Sequence, residues 1–397
     1  MELRELRDFM LGKLASAVNF WTERCLDREY GGILHCFDKD GKLFSTDKGV
    51  WLQGRAGWSF SYLYNYVKRD EKYLEIAKSS IDFAREHCID TDGRMFVKVT
   101  RDGKPLEKSS DWFSETFYII ACAEYYLAAG DAFYLAEARK YYDVVMSIYR
   151  DPATDPYKVS ATGTGSSRRL KTFARPMILL NVSSVLSRTD RERAETYDRN
   201  IAELAKDVAK FHSDEYHATM EAISSDGEIV LDSATCRVCN PGHDMECAWF
   251  MLEEGKRLGN AEMCRQAQVI FDDAYEMGYD RVYGGILYNR DILGAPVEAY
   301  EQDMKIWWVH NEAIIASLML YLHTKDEKYK AILDDLVEYS FARFDGGDGE
   351  WYASLRRDGV PNETKIKGFI YKGPFHTLRM YAKCVQLLDG ALKQEKI

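Results

Sequence analysis

Apolar residues recur at helical spacing in long runs along the chain, and the runs are separated by short glycine-containing stretches that alternate apolar and polar. The helical runs are Met1–Cys25, Gly54–Val67, Lys72–His87, Asp111–Ala129, Phe133–Tyr149, Ala174–Ser187, Arg191–His212, His243–Leu258, Ala261–Met277, Lys305–His323, Glu327–Phe344 and Phe375–Ala391. Breaks at Gly130, Thr189-Asp190, Gly259-Asn260 and Lys325-Asp326 group them as about six pairs. Between the pairs lie Tyr30–Phe37, Asp92–Val97, Met220–Ile223, Tyr283–Tyr288 and Glu350–Leu355. Each reads as a small β-hairpin, most of them followed by an Asp-Gly turn such as Asp40-Gly41, Asp102-Gly103, Asp226-Gly227 or Asp358-Gly359.

The pattern returns every roughly 60 to 70 residues, a period that reads as repeated architecture. Alternate helices, those beginning near Gly54, Asp111, Ala174, His243, Lys305 and Phe375, carry Trp58, Trp112, Met177, Trp249, Trp307 and Phe375 and show fewer charged faces than their partners. A helix apolar nearly all round belongs inside, and one with a charged face belongs outside. A closed, all-α barrel of inner and outer helices satisfies both, as one domain over residues 1–397.

A formal charge of -11 argues against nucleic acid and anionic membrane as main partners. No apolar run approaches the ~20 residues that span a bilayer, and Met1–Met10 lacks the apolar stretch of a signal peptide. The nine cysteines are scattered, most of them inside apolar helical patterns, as in a reducing compartment. The expected location is the cytoplasm.

The candidate chemistry falls at the starts of inner helices. In Asn240-Pro241-Gly242-His243-Asp244-Met245-Glu246 the Pro-Gly pair places His243 in a first helical turn, with Glu246 on the same face. In Lys372-Gly373-Pro374-Phe375-His376 the same logic places His376 at a helix start, sharing a face with Arg379. Arg55, Asn181, Lys305, Trp308, His310 and Glu312 also lie on inner helices. In a ring these starts converge on one mouth with aromatic walls and few polar groups. Positive helix ends there favour neutral imidazole and anionic intermediates. His35, His87, His212, His217 and His323 read as surface or packing residues. Cys236-x-x-Cys239 with His243 and Cys247 has donors of the zinc type, but the Pro-Gly break and the single CxxC argue against a metal, and none is expected. Gly163–Arg169 reads either as a phosphate cradle or as a flexible basic loop.

Five segments together, Val50–Arg55, Arg175–Asn181, Asn240–Glu246, Lys305–Glu312 and Lys372–Arg379, resemble the N-acylglucosamine 2-epimerase family, from about residue 20 to about residue 385. The resemblance implies an (α/α)6 barrel, usually dimeric, that interconverts N-acetylglucosamine and N-acetylmannosamine. Relatives epimerise cellobiose or mannobiose, or isomerise aldoses to ketoses, and these are the alternative activities. It further implies His243 and His376 as the acid/base pair, with Glu246 and Glu312 tuning them. Arg55, Asn181, Trp308, His310 and Arg379 would contact the sugar. The chemistry would need no cofactor, and ATP would act only as an allosteric activator. Val185 stands where disaccharide epimerases carry a further histidine, and His310 where they tend to carry glutamine, which favours the N-acylhexosamine branch. Glu115 replaces an expected aspartate.

Overall fold

A helix apolar on every side persists only where other helices surround it, and half of the helices in the computed structural model, which describes residues 1–158, 170–297, 299 and 301–394, are of that kind. Among the described residues the helices are α1 (Leu3–Thr22), α2 (Val50–Tyr66), α3 (Glu71–His87), α4 (Phe113–Ala129), α5 (Ala132–Arg150), α6 (Ala174–Thr189), α7 (Ala194–Ala209), α8 (Pro241–Leu258), α9 (Ala261–Gly278), α10 (Trp307–Thr324), α11 (Glu327–Arg343) and α12 (His376–Gln394). Helix α10 is buried without interruption from Val309 to Leu320. Its partner α11 buries only Tyr329, Leu333, Leu336, Val337 and Ser340, a single stripe at helical spacing.

The even-numbered inner helices close a ring, α2 on α4, α4 on α6, α6 on α8, α8 on α10, α10 on α12 and α12 back on α2. Outside it α3, α5, α7, α9 and α11 each pack on the inner helix before them in the chain, and α1 packs on α12. The architecture is an (α/α)6 barrel, as the alternation of apolar and one-sided helices predicts. Among the described residues no helix is long and apolar enough to cross a membrane.

The short strands depart in part from the expected local hairpins. Cys36–Phe37 does pair with Leu43–Ser45, and Lys98–Val99 with Pro105–Glu107. The glycines of the four Asp-Gly turns, Gly41, Gly103, Gly227 and Gly359, all take positive φ, as such turns require. The strands directly preceding inner helices, however, pair across the barrel end. Lys48–Gly49 pairs with Lys98–Val99, Leu170–Thr172 with Ala222–Ser224, Val238–Cys239 with Arg290–Asp291, and Lys305–Ile306 with Ser354–Leu355. A two- or three-residue strand is too short to stand as an isolated hairpin, so it adds to its neighbour's edge and ties the starts of successive inner helices together.

Two of these ties repeat each other in detail. Asp27-Arg-Glu-Tyr-Gly-Gly-Ile-Leu34 precedes α2, and Asp280-Arg-Val-Tyr-Gly-Gly-Ile-Leu287 precedes α10. Asp27 binds the buried Lys48 at 3.0 Å, and Asp280 binds the buried Lys305 at 2.9 Å. Gln53 Oε1 then accepts from Ile33 N at 2.8 Å, while His310 Nε2 accepts from Ile286 N at 3.0 Å. Gly32 and Gly285 have positive φ, and a Cβ there would stand 2.6 Å from Gln53 Oε1 and 2.9 Å from His310 Nε2. His310 is therefore the counterpart of Gln53, a clamp on a glycine loop. His35 does similar work, accepting from Gly49 N at 2.9 Å.

Burial, opposed by a bond from each ring to a backbone carbonyl, lowers the pKa of both His310 and His35 to about 4. In the unfolded chain the value is about 6.5, so acid favours the unfolded state, which binds the extra protons. Each neutral ring contributes its stability above pH ~6.5 and loses it as the pH falls toward about 4. Urea midpoints should decline over that window. His310→Gln, supplying the acceptor that Gln53 already provides in the sister loop, should flatten the decline, whereas His310→Ala should cost about 3 kcal/mol at pH 7.

Candidate active site

The starts of all six inner helices frame a cavity of about 460 Å³ at one end of the barrel. Its wall takes Trp51 and Arg55 from α2, Phe117 from α4, Met177 and Ile178 from α6, His243 and Glu246 from α8, Trp307 and Trp308 from α10, and His376 from α12. Tyr288, Glu301, Met304, Ser354, Asn362 and Tyr371 come from the connecting loops.

His243 is fixed by its helix start. Pro241 occupies the first helical position, and the Asn240 side chain caps the helix, accepting from Gly242 N at 3.0 Å and His243 N at 3.1 Å. His243 Nδ1 donates to Glu221 Oε1 at 2.8 Å, which leaves Nε2 for the cavity. His376 begins α12, and its Nδ1 donates to Glu312 Oε1, also at 2.8 Å. Both imidazoles lie against one indole, their ring centres 5.1 Å and 5.7 Å from that of Trp308.

The two rings sit in opposite fields. Burial disfavours charge on His243, but the Glu221 carboxylate, with help from Glu246, outweighs it and raises the pKa above the ordinary value. Burial lowers the pKa of His376 well below that value, and the guanidinium groups of Arg379 and Arg55 add to the effect. Arg379 binds Glu246 and, at 2.8 Å, Glu312, whose other oxygen accepts from Trp249 Nε1 at 2.8 Å. These carboxylates outweigh burial and raise the pKa of Arg379. Arg55 lies 4.2 Å from the Phe117 ring centre and 5.0 Å from that of Phe375, and burial lowers its pKa.

His243, Glu246, His376, Arg55 and Trp308 thus share one cavity. Glu312 and Arg379 do not line it; they stand directly behind His376, both in contact with its Nδ1. Asn181 and His310 do not meet the expectation of sugar contacts. Asn181 lies two turns into α6, where Met177 and Ile178 already form the wall, and it lines a separate chamber of about 20 Å³ with Val185 and Arg188. His310 is fully buried with both nitrogens bonded, to Ile306 O and Ile286 N.

Glu115 is bound to the buried Arg94 at 2.6 Å, away from the cavity. Cys236, Cys239 and Cys247 are buried, and burial pushes the Cys239 and Cys247 thiols up, away from the thiolate a metal needs. Among the described residues the metal-type donors that converge are Glu246, Glu312 and His376, within 4.8 Å of one another, where the Arg379 cation already binds both carboxylates. Gly163–Arg169 lies outside the described residues. Glu221 went unrecognised in the sequence, although a lone charge within Met220-Glu221-Ala222-Ile223 was a usable signal.

An aromatic-walled cup with two carboxylate-backed imidazoles and two arginines is equipped to move a proton on a polyhydroxylated substrate and to stabilise the resulting anion. A model of the N-acylglucosamine 2-epimerase (GlcNAc 2-epimerase) family matches residues 32–373. The chain is 33% identical to N-acylglucosamine 2-epimerase of Bos taurus over 99% of its own length and 93% of that protein. In structure it is similar to cellobiose 2-epimerase from Spirochaeta thermophila (TM-score 0.84, 21% identity, 98% of each chain). It is also similar to a D-mannose isomerase (TM-score 0.81, 20% identity, 96% of this chain and 97% of that one). The chain belongs to the N-acylglucosamine 2-epimerase family. It is accordingly an isomerase acting on carbohydrates.

The buried cluster around Glu312 has a stability consequence. Glu312→Ala leaves Arg379 with Glu246 alone and strips acceptors from His376 and Trp249. Unfolding in urea should show a loss of about 3–5 kcal/mol, and a change below about 1 kcal/mol would contradict the arrangement.

Proposed function

We propose that the protein interconverts N-acetyl-D-glucosamine and N-acetyl-D-mannosamine, moving the C2 proton between His243 and His376. The observation that carries this reading is the pair of imidazoles against one indole, pushed in opposite directions by their surroundings. Epimerisation beside a carbonyl takes a proton from one face of C2 and returns one to the other. Groups whose environments separate their pKa values divide that labour, the neutral ring removing and the charged ring donating. His376, whose pKa is pushed down, is the base in one direction, and His243, whose pKa is pushed up, is the acid; the roles exchange in reverse.

The reacting form is the open-chain aldose, since only it has the carbonyl that acidifies C2–H. The C2 proton passes to His376 Nε2 and the C–H electron pair forms the 2-acetamido enolate, its charge on O1, which then recovers a proton at C2 from His243 Nε2. Arg55 supplies positive charge at the cavity wall for the enolate oxygen, and Trp51 and Trp308 give flat apolar surfaces for the sugar carbons. The N-acyl substrate is supported by the full-length likeness to the bovine enzyme. ATP enters only as an effector, and the same reading takes the chain as one cytoplasmic catalytic domain that pairs with a second copy.

N-acetylmannosamine followed by proton NMR in D₂O, with and without ATP, should give N-acetylglucosamine labelled at C2 and no ketose. His243→Asn and His376→Asn should each lower kcat by at least about 10²-fold. Conversion of mannose to a ketose in preference would make the protein an aldose–ketose isomerase, and turnover of cellobiose in preference would make it a disaccharide 2-epimerase.

A further inference from the structure

Resting on the two-imidazole reading above, we propose that Glu221 is the positioning residue for His243, the counterpart of Glu312 for His376. Both carboxylates accept from Nδ1 at 2.8 Å, so each histidine is held in the tautomer that presents Nε2 to the cavity. Glu221 lies outside every helix, yet its backbone is fixed on two sides. Its N–H donates to Val238 O at 2.8 Å, just before α8, and its carbonyl accepts from Phe173 N at 2.9 Å, at the start of α6. A loop residue tied to two inner-helix starts holds a side chain as firmly as a helix does.

The two dyads differ in what else binds the carboxylate. Glu312 is shared with Arg379 and Trp249, so much of its charge is already answered. Glu221 has no cation bound to it among the described residues. The charged groups facing His243 are Glu221 and, on its own helix, Glu246. Asp244 lies near Glu221, but burial, reinforced by Glu221 and Asp273, raises its carboxyl pKa well above the ordinary value, which disfavours charge on it. Glu221 therefore raises the pKa of His243, while burial and the Arg379 and Arg55 guanidinium groups hold that of His376 down. The two rings are thereby pushed in opposite directions, as a pair that divides the giving and the taking of a proton requires.

Glu221→Gln should lower kcat by about 10- to 100-fold with KM within about 2-fold, and should move the His243 titration, followed by NMR of the labelled imidazole, about one pH unit downward. Glu221→Asp, which keeps the charge, should recover part of both. An unchanged titration, an unchanged kcat, or a Glu221→Asp variant as impaired as Glu221→Ala would overturn the proposal. Should substitutions at Glu221 prevent folding, the unsubstituted protein still decides it, because ¹⁵N spectra showing neutral His243 protonated at Nε2 would be incompatible with the bond to Glu221. These titrations are independent of turnover. A protein inactive on N-acetylmannosamine would remove the epimerase reading while leaving the Glu221–His243 coupling measurable.

Discussion

The salt-bridged centre formed by Arg379, Glu246 and Glu312 is the interaction on which the rest of the site depends. The three residues come from α12, α8 and α10, three consecutive members of the inner ring, and all are almost fully buried. Isolated, any one of these charges would be expelled from such a place. Together they are tolerated, and the geometry that makes them tolerable also fixes His376. Burial, helped by the same guanidinium that neutralises two carboxylates, lowers the pKa of the imidazole beside it. Packing, charge balance and acid/base assignment are thus one constraint, and a change to any member disturbs all three.

The barrel was legible because its two kinds of helix differ in how apolar residues are distributed, and burial around α4 and α10 against a single stripe on α11 follows that difference. The mouth was legible too, since Pro241 and Asn240 mark a helix start by local chemistry alone. What escaped was whatever depends on distance along the sequence. The strand partners of Leu170–Thr172 and Lys305–Ile306 lie some fifty residues away, and a run of two or three residues holds no signal that selects among remote edges.

The errors at His310 and Asn181 have different causes. His310 sits one turn from catalytic-looking neighbours on a helix start, but a helix has an inward and an outward face, and His310 turns outward onto the glycine loop as Gln53 does in the sister segment. Its equivalence to a glutamine was visible in the repeated Asp-Arg-x-Tyr-Gly-Gly-Ile-Leu segments once they were aligned. Asn181 was misjudged in depth instead: two helical turns carry a side chain about 10 Å along the axis, past the cavity floor. Glu221, conversely, was a loop residue in a stretch assigned to scaffolding.

The pairing of α1 with α12 has a consequence for how the molecule comes into being. Every other inner helix meets its outer partner within a few residues, so five helix hairpins can collapse as they are made. The sixth joins segments more than 350 residues apart and inserts His376 and Arg379 between α10 and α2. A growing chain can therefore stack most of its layers and remain an open arc, without a closed cavity and with one of the two cavity histidines still missing. Competence arrives in a single late event, the docking of one helix, and a chain halted before that step is a scaffold rather than a slow enzyme.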